Sequence, residues 1–241
     1  MPNITVDARG TPIIVIVDNK ATRSRLREFT TKEVETLNWI DGFEPKSTFF
    51  DVGANVGSYT LYAAARNHEV VAFEPSDANW GRLRENVGLN GLQDRVRIFG
   101  YALADFDGKD LQHLGRKSHG GVGSAEHSIG RKVVRNGEPA SYGGEQENTA
   151  VRTMDSVCAE LGIWPDYLKI DTDGAEPRII AGATEALKRC KSLVVEIDNR
   201  IADHLGLPER IEAMGFKITF DKRRQGGRWG GCGNMHFARV V

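Results

Sequence analysis

The chain has 241 residues, 40% hydrophobic and 27% charged, with a formal net charge of −1, which suits one large soluble α/β domain rather than two. Near-neutral charge disfavours a broad nucleic-acid surface, and no apolar run approaches the roughly twenty residues of a membrane span. Three widely spaced cysteines, Cys158, Cys190 and Cys232, make no C-x-x-C and no even framework, and residues 1–9 lack a signal-type apolar core, so composition predicts a cytoplasmic protein.

In chain order, spacing predicts a strand over 13–17 and a helix over 31–40, with Val34, Leu37 and Ile40 on one side. Residues 1–47 read as an extension packing on a core domain of 48–241. From there strands and helices alternate: strand 48–52, helix 58–66, strand 69–73, helix 77–89, strand 96–99, helix 154–161, strand 167–170, helix 176–189 and strand 193–197. Alternation predicts βαβ units in a mostly parallel, Rossmann-like sheet with helices on both faces. Two strand-like runs, 216–220 and 235–241, flank a basic, glycine-rich loop and predict a C-terminal antiparallel hairpin. Residues 112–150, rich in Gly, Ser, His and charge, exceed an ordinary connection. They read either as a substrate-covering lid or as a solvated insertion.

The most informative stretch is Phe49-Phe50-Asp51-Val52-Gly53-Ala54-Asn55-Val56-Gly57-Ser58. A strand, a glycine turn and a helix start are the usual cradle for a nucleotide-like cofactor. The dinucleotide fingerprint G-x-G-x-x-G is absent, which disfavours a nicotinamide oxidoreductase. Asp51 on the first strand would repel a pyrophosphate and suits a cationic, phosphate-free cofactor, S-adenosylmethionine (SAM). Gly53 and Gly57 let the backbone approach a ligand, and Asn55 tolerates a left-handed turn. Glu74 ends the second strand, where an acid commonly accepts from the ribose hydroxyls. The small residues before Asp105 could flank an adenine, with Asp105 reaching its amino group.

Further acids fall at later strand ends. Asp171, in Ile170-Asp171-Thr172-Asp173-Gly174-Ala175-Glu176, is the first candidate for a general base, with Glu196 or one of His119, His127 and His236 as alternatives. Glu176 reads more simply as a helix-start acid. Asp171 with Asp198 and Asn199 offers hard oxygen ligands of the kind magnesium prefers, a set that resembles the metal site of catechol-type O-methyltransferases; the competing reading is that the acids position substrate without metal. Lys222, Arg223, Arg224 and Arg228 read as a solvated basic face that an anionic acceptor could also meet.

Taken together, FFDVGANVGSYT, VVAFEPSDANWGRLRENVGLN, ALADFDG, TMDSV, YLKIDTDGAEPRIIAGA and VVEID resemble the FkbM-type family of SAM-dependent methyltransferases over roughly residues 49–198. The ending GNMHFARV is also similar. The resemblance implies the seven-stranded class I methyltransferase fold and O-methylation of a sugar, glycan or natural-product hydroxyl. By position, Asp51, Gly53, Asn55, Gly57 and Glu74 would hold SAM, while Asp171 and Glu176 fall in the family's I-D-x-x-G-x-E block. Thr172-Asp173 departs from the small apolar residue and Glu expected there. The implied partner is a small-molecule or glycan acceptor; a non-catalytic SAM-binding module is the rival class.

Overall fold

The computed structural model describes residues 2–31, 33–115, 122, 128–129, 134–136, 138–139, 142–225 and 231–240. It forms two compact units, Met1–Tyr101 with Lys117–Ala125, and Ala102–Arg116 with Glu126–Val241. Its architecture is α/β, with mostly parallel strands and an antiparallel C-terminal pair.

In the first unit, β1 (Asn3–Ala8) and β2 (Thr11–Ile16) form an antiparallel hairpin. Then come α1 (Lys20–Thr31), α2 (Val34–Asp41), β3 (Thr48–Val52), α3 (Ser58–Ala65), β4 (Glu69–Phe73), α4 (Asp77–Leu89) and β5 (Val96–Phe99). Strands β3, β4 and β5 are adjacent and parallel, with Phe50 opposite Val71 and Phe73 opposite Phe99. Phe49, Phe50, Val52, Val70, Val71 and Phe73 are buried. Near-continuous apolar runs of this kind are what a parallel strand covered on both faces requires. The expected helix over 31–40 is instead the end of α1 and most of α2. Neither β1 nor α1 was expected; α1 carries three arginines among its residues, and so few apolar positions leave little helical periodicity to read.

The second unit begins with β6 (Ala102–Leu103), β7 (Gly108–Gly115), β8 (Ser128–Ile129), β9 (Val134–Arg135), β10 (Glu138–Pro139) and β11 (Tyr142–Arg152). A four-stranded sheet runs β6-β11-β7-β8, with Asp110 opposite Thr149 and Gly108 opposite Val151. The ends of the expected 112–150 insertion are therefore paired strand, while most of its middle lies outside the described residues. Next come α5 (Met154–Leu161), β12 (Tyr167–Ile170), α6 (Glu176–Ala181), α7 (Thr184–Arg189), β13 (Ser192–Asp198), α8 (Leu207–Ala213), β14 (Phe216–Asp221) and β15 (Cys232–Arg239). β12 and β13 are parallel; β15 runs antiparallel to both β13 and β14, giving the C-terminal hairpin.

The helix expected over 176–189 breaks into α6 and α7 at Gly182. A Cβ there would overlap the Ala104 carbonyl oxygen and come within 3.0 Å of its carbon. The same glycine's carbonyl accepts Asp155 N–H at 3.1 Å, and the Asp155 carboxylate caps α7 through Glu185 N and Ala186 N at 2.9 and 2.8 Å. Gly182 is thus the point where α5, the residues after β6 and the α6–α7 corner meet. Among the described residues no helix is long and apolar enough to cross a membrane.

Candidate functional site

The first unit assembles five of the expected cofactor residues around one turn. β3 delivers Asp51 and the chain then bends through three positive φ angles, Gly53 at 81°, Asn55 at 52° and Gly57 at 95°. Two glycines and an asparagine are the residues that adopt this region at least cost. Gly53 and Ala54 both donate to Phe73 O at 3.0 Å, Gly57 N donates to Ala54 O at 2.9 Å, and Asn55 Oδ1 accepts Val56 N–H at 3.0 Å. Gly57 is also close-packed, since a Cβ there would overlap Leu83 Cδ1.

Glu74 is buried and closes the turn from the end of β4. Its Oε2 accepts Asn55 N–H at 2.9 Å, and its Oε1 accepts Ser76 N–H at 3.0 Å and the Asn79 amide at 3.5 Å. A carboxylate offers about four lone-pair directions, and these bonds fix its orientation. Asp51, 1% exposed, accepts Thr60 Oγ1–H at 2.6 Å on Oδ2. That bond ties the acid to the first turn of α3. Backbone approach at the turn, an anionic strand end and the absence of a phosphate-type glycine pattern fit SAM. Beside them Phe73 stacks on Phe99 with centroids 5.6 Å apart, and Phe99 lies 5.3 Å from Tyr101.

The second unit gathers the later acids. β12 is an apolar strand except for Lys169, which is 2% exposed and donates from Nζ to Asp171 Oδ2 at 2.8 Å. A buried ammonium requires a partner, so the lysine fixes where the Asp171 carboxylate sits. Sequence reasoning passed over Lys169, although a lone cation inside an otherwise apolar strand was a usable signal.

The turn after Asp171 is built on Glu176. Its Oε1 accepts Thr172 N–H at 2.7 Å and Thr172 Oγ1–H at 3.0 Å, and its Oε2 accepts Gly174 N–H at 2.8 Å. Asp173 lies between at φ 58°. Glu176 does start α6, as its position suggested, but its carboxylate folds back to shape the turn, more than a dipole contact alone. Behind it, His204 Nδ1 accepts Asp198 N–H at 3.0 Å, which places the ring proton on Nε2, 2.9 Å from Glu176 Oε2 though without the alignment of a good hydrogen bond. His204 thereby joins the β12 turn to the end of β13.

Glu196 stands opposite Asn234, and Asp198 opposite Cys232. Burial pushes the Cys232 thiol up to about 12, and Glu196, Asp198 and Asp171 add to the effect, so the thiol stays protonated amid a carboxylate group. Asp198 and Asn199 do not fit a magnesium site. Arg200 forks onto Asp198, Nε to Oδ1 and the second nitrogen to Oδ2, both at 2.7 Å. Asn199 Oδ1 accepts from Arg223 at 2.8 Å. Among the described residues no group of three or more His, Cys, Asp or Glu side chains is arranged to hold a metal.

Two other candidates stand elsewhere. Asp105 accepts Arg178 Nε–H at 3.0 Å, and the small residues preceding it pack with Val151 and Phe106 as a core cluster. His236 lies on β15 with its ring 5.1 Å from Phe220. His119, His127 and Arg228 lie outside the described residues.

The chain is similar in sequence and in fold to known methyltransferases. The model of the methyltransferase FkbM domain matches residues 51–218. The 2-O-methyltransferase NoeI of Sinorhizobium fredii is 26% identical over 197 residues, covering 74% of this chain and 77% of NoeI. The 31-O-demethyl-FK506 methyltransferase FkbM of Streptomyces tacrolimicus is 25% identical over 203 residues, 74% of this chain and 75% of its own. The AMB antimetabolite synthetase AmbE of Pseudomonas aeruginosa is 30% identical over 73% of this chain, which spans only 10% of AmbE's length. Among solved structures, magnesium protoporphyrin IX methyltransferase (ChlM) from Synechocystis PCC 6803 with bound SAM superposes with TM-score 0.54 at 13% identity, over 93% of this chain and 86% of its own. The methyltransferase FkbM from Methylobacillus flagellatus KT gives TM-score 0.53 at 15% identity, over 92% of this chain and 56% of its own, so the chain spans about half that protein. The two superpositions show the class I methyltransferase fold, and the family match over residues 51–218 makes this chain a member of the FkbM family of SAM-dependent methyltransferases.

Proposed function

We propose that the chain transfers the methyl group of SAM to a hydroxyl of a sugar, a glycan or another natural product. The observation that carries this reading is that two relatives named for methylation at oxygen match over about three quarters of both chains. SAM, when bound, supplies an electrophilic methyl group and a good leaving group. Asp51, Gly53, Asn55, Gly57 and Glu74 would hold it, with the Glu74 carboxylate as the acceptor for the ribose diol. Asp105, engaged by Arg178, is assigned a structural role.

Acceptor chemistry falls to the second unit. A neutral hydroxyl must lose its proton as it attacks. Asp171 would orient that hydroxyl and take the proton, with Glu196 as the second carboxylate. The Lys169 contact and the Glu176-centred turn keep Asp171 from reorienting, the kind of positioning on which a displacement reaction depends. No metal enters this scheme, because Arg200 and Arg223 engage the ligand atoms that magnesium would use. Residues 1–47 act as a supporting extension of the 48–241 domain, and residues 112–150 are the segment that meets the acceptor.

Calorimetry with SAM, with and without magnesium and chelator, followed by a mass-shift screen of hydroxylated acceptors, tests the proposal. Micromolar SAM affinity insensitive to chelator and a product about 14 Da heavier than its acceptor, the net CH2 of methylation, are expected. A folded protein with no measurable SAM affinity overturns it. SAM binding without product from any acceptor would favour the non-catalytic module.

A further inference from the structure

Asn86 sits in the last turn of α4, is 0% exposed, and reaches in two directions at once. Its Nδ2 donates to Val56 O in the cofactor turn at 2.8 Å. Its Oδ1 accepts Ile16 N–H of β2 at 3.0 Å. One helical turn on, Asn90 exchanges two bonds with Ile14, N–H to Oδ1 at 2.8 Å and Nδ2 to O at 2.7 Å, and its amide also donates to Asn86 O at 2.7 Å. Both asparagines therefore fasten the β1–β2 hairpin to α4, but Asn86 alone of the two also grips the turn.

The bond to Val56 has a specific mechanical consequence. Val56 C=O and Gly57 N–H belong to one rigid peptide plane. Asn86 holds the carbonyl end of that plane, and Ala54 O accepts from the amide end at 2.9 Å. Gly57, at φ 95°, has no side chain to resist rotation of the plane. The two hydrogen bonds supply the resistance that the residue itself lacks. A buried amide whose donor and acceptor are both used is also costly to mispair, which makes the arrangement discrete rather than adjustable.

We propose that Asn86 is a positioning residue for SAM, fixing the Val56–Gly57 peptide plane, and that through the same amide the N-terminal hairpin becomes part of the cofactor site. This rests on the SAM reading of the turn given above.

The test compares Asn86→Ala and Asn86→Leu with Asn90→Ala, reading SAM affinity by calorimetry and exchange of the Gly57 N–H by NMR or mass spectrometry. Both Asn86 variants should bind SAM at least tenfold more weakly and exchange Gly57 N–H at least tenfold faster. Asn90→Ala should lower the melting temperature yet keep both readouts within twofold of wild type. That split is what a merely structural role would not produce. Should Asn86→Ala and Asn86→Leu fail to fold, Asn86→Ser, with one hydroxyl for two partners, takes their place and should weaken SAM at least threefold. A folded Asn86 variant with wild-type affinity and wild-type Gly57 exchange overturns the proposal. If the wild type binds no SAM, the functional reading fails, and Gly57 exchange alone decides: equal rates in the Asn86 and Asn90 variants refute the positioning role.

Discussion

Replacing Glu176 by Gln removes one oxygen and one charge from the centre of the turn that carries Asp171. The carboxylate accepts from Thr172 N, Thr172 Oγ1 and Gly174 N, divided between its two oxygens. A glutamine amide has a single oxygen, so either the Gly174 N–H or the two Thr172 donors would face an NH2 group. Hydrogen bonds to a charged group contribute about 1.5–3 kcal/mol each, and an unsatisfied buried donor costs about 1–3 kcal/mol. These bonds are only partly buried, so a total near 3 kcal/mol is the reasonable figure. For a chain of this size about 1 kcal/mol lowers Tm by roughly 2–4 °C, giving an expected drop of about 6–12 °C by circular dichroism. Turnover should fall with it, because Asp171 stands at the start of the loosened turn, while SAM affinity should change little. A Tm within about 2 °C of wild type, the smallest shift that this scale resolves, together with unchanged exchange of the Thr172 and Gly174 amides, would show that the carboxylate does not hold the turn.

Glu74→Ala should weaken SAM binding at least tenfold in calorimetry, since it removes both the diol acceptor and the tie from Asn55 to Ser76; wild-type affinity in a folded variant would place the cofactor elsewhere. Gly182→Ala should lower Tm by roughly 4–12 °C, from about 2–3 kcal/mol of overpacking against backbone that cannot rotate away, and a neutral result would mean that the Ala104 segment yields. In the first unit, hydrogen bonding from Arg82 holds the Asp18 carboxyl below its ordinary value of 3.8, against an opposing effect of burial. A lowered folded-state value means that the stabilisation is complete above the unfolded value and is lost as pH falls through the folded one. Asp18→Asn should therefore lower Tm at neutral pH and flatten its acid limb below about pH 4; parallel Tm–pH curves would refute the coupling.

The alternating core was legible because each of its signals is local. Apolar runs ending in an acid mark β3 and β4, and helical spacing marks α4, so Asp51, Gly53, Asn55, Gly57 and Glu74 could be placed around one turn from sequence alone. The misses share a different cause. The break at Gly182 is required by Ala104, far away in the chain, and no local pattern carries that information. Glu176 shows a helix-start position in sequence but not the direction in which its side chain folds. α8 opens with Pro208 in its first turn and is only seven residues long, too short for periodicity to declare it. Asn86 in the last turn of α4 and Asn90 just past its end stand four apart, and that i, i+4 pair of amides at the end of a helix with an apolar face was the available hint of buried polar ties. Lys169 offered a similar hint inside β12. In both cases a polar residue in an apolar frame marked a fixed bond rather than an exposed face.

The β7–β11 ladder has an evolutionary consequence. Gly108 to Asp110 are zipped to Thr149 to Val151, and Val151 and Arg152 are zipped in turn to Ala102 and Leu103. The two strands that bound the intervening segment are thus held side by side, with their register already set. Chain closed at its base in this way can be lengthened, shortened or replaced at modest entropic cost, because each doubling of a loop costs only about 0.6 kcal/mol. The β7–β11 ladder thus sets the two points between which chain can be exchanged without retuning the strands beneath them.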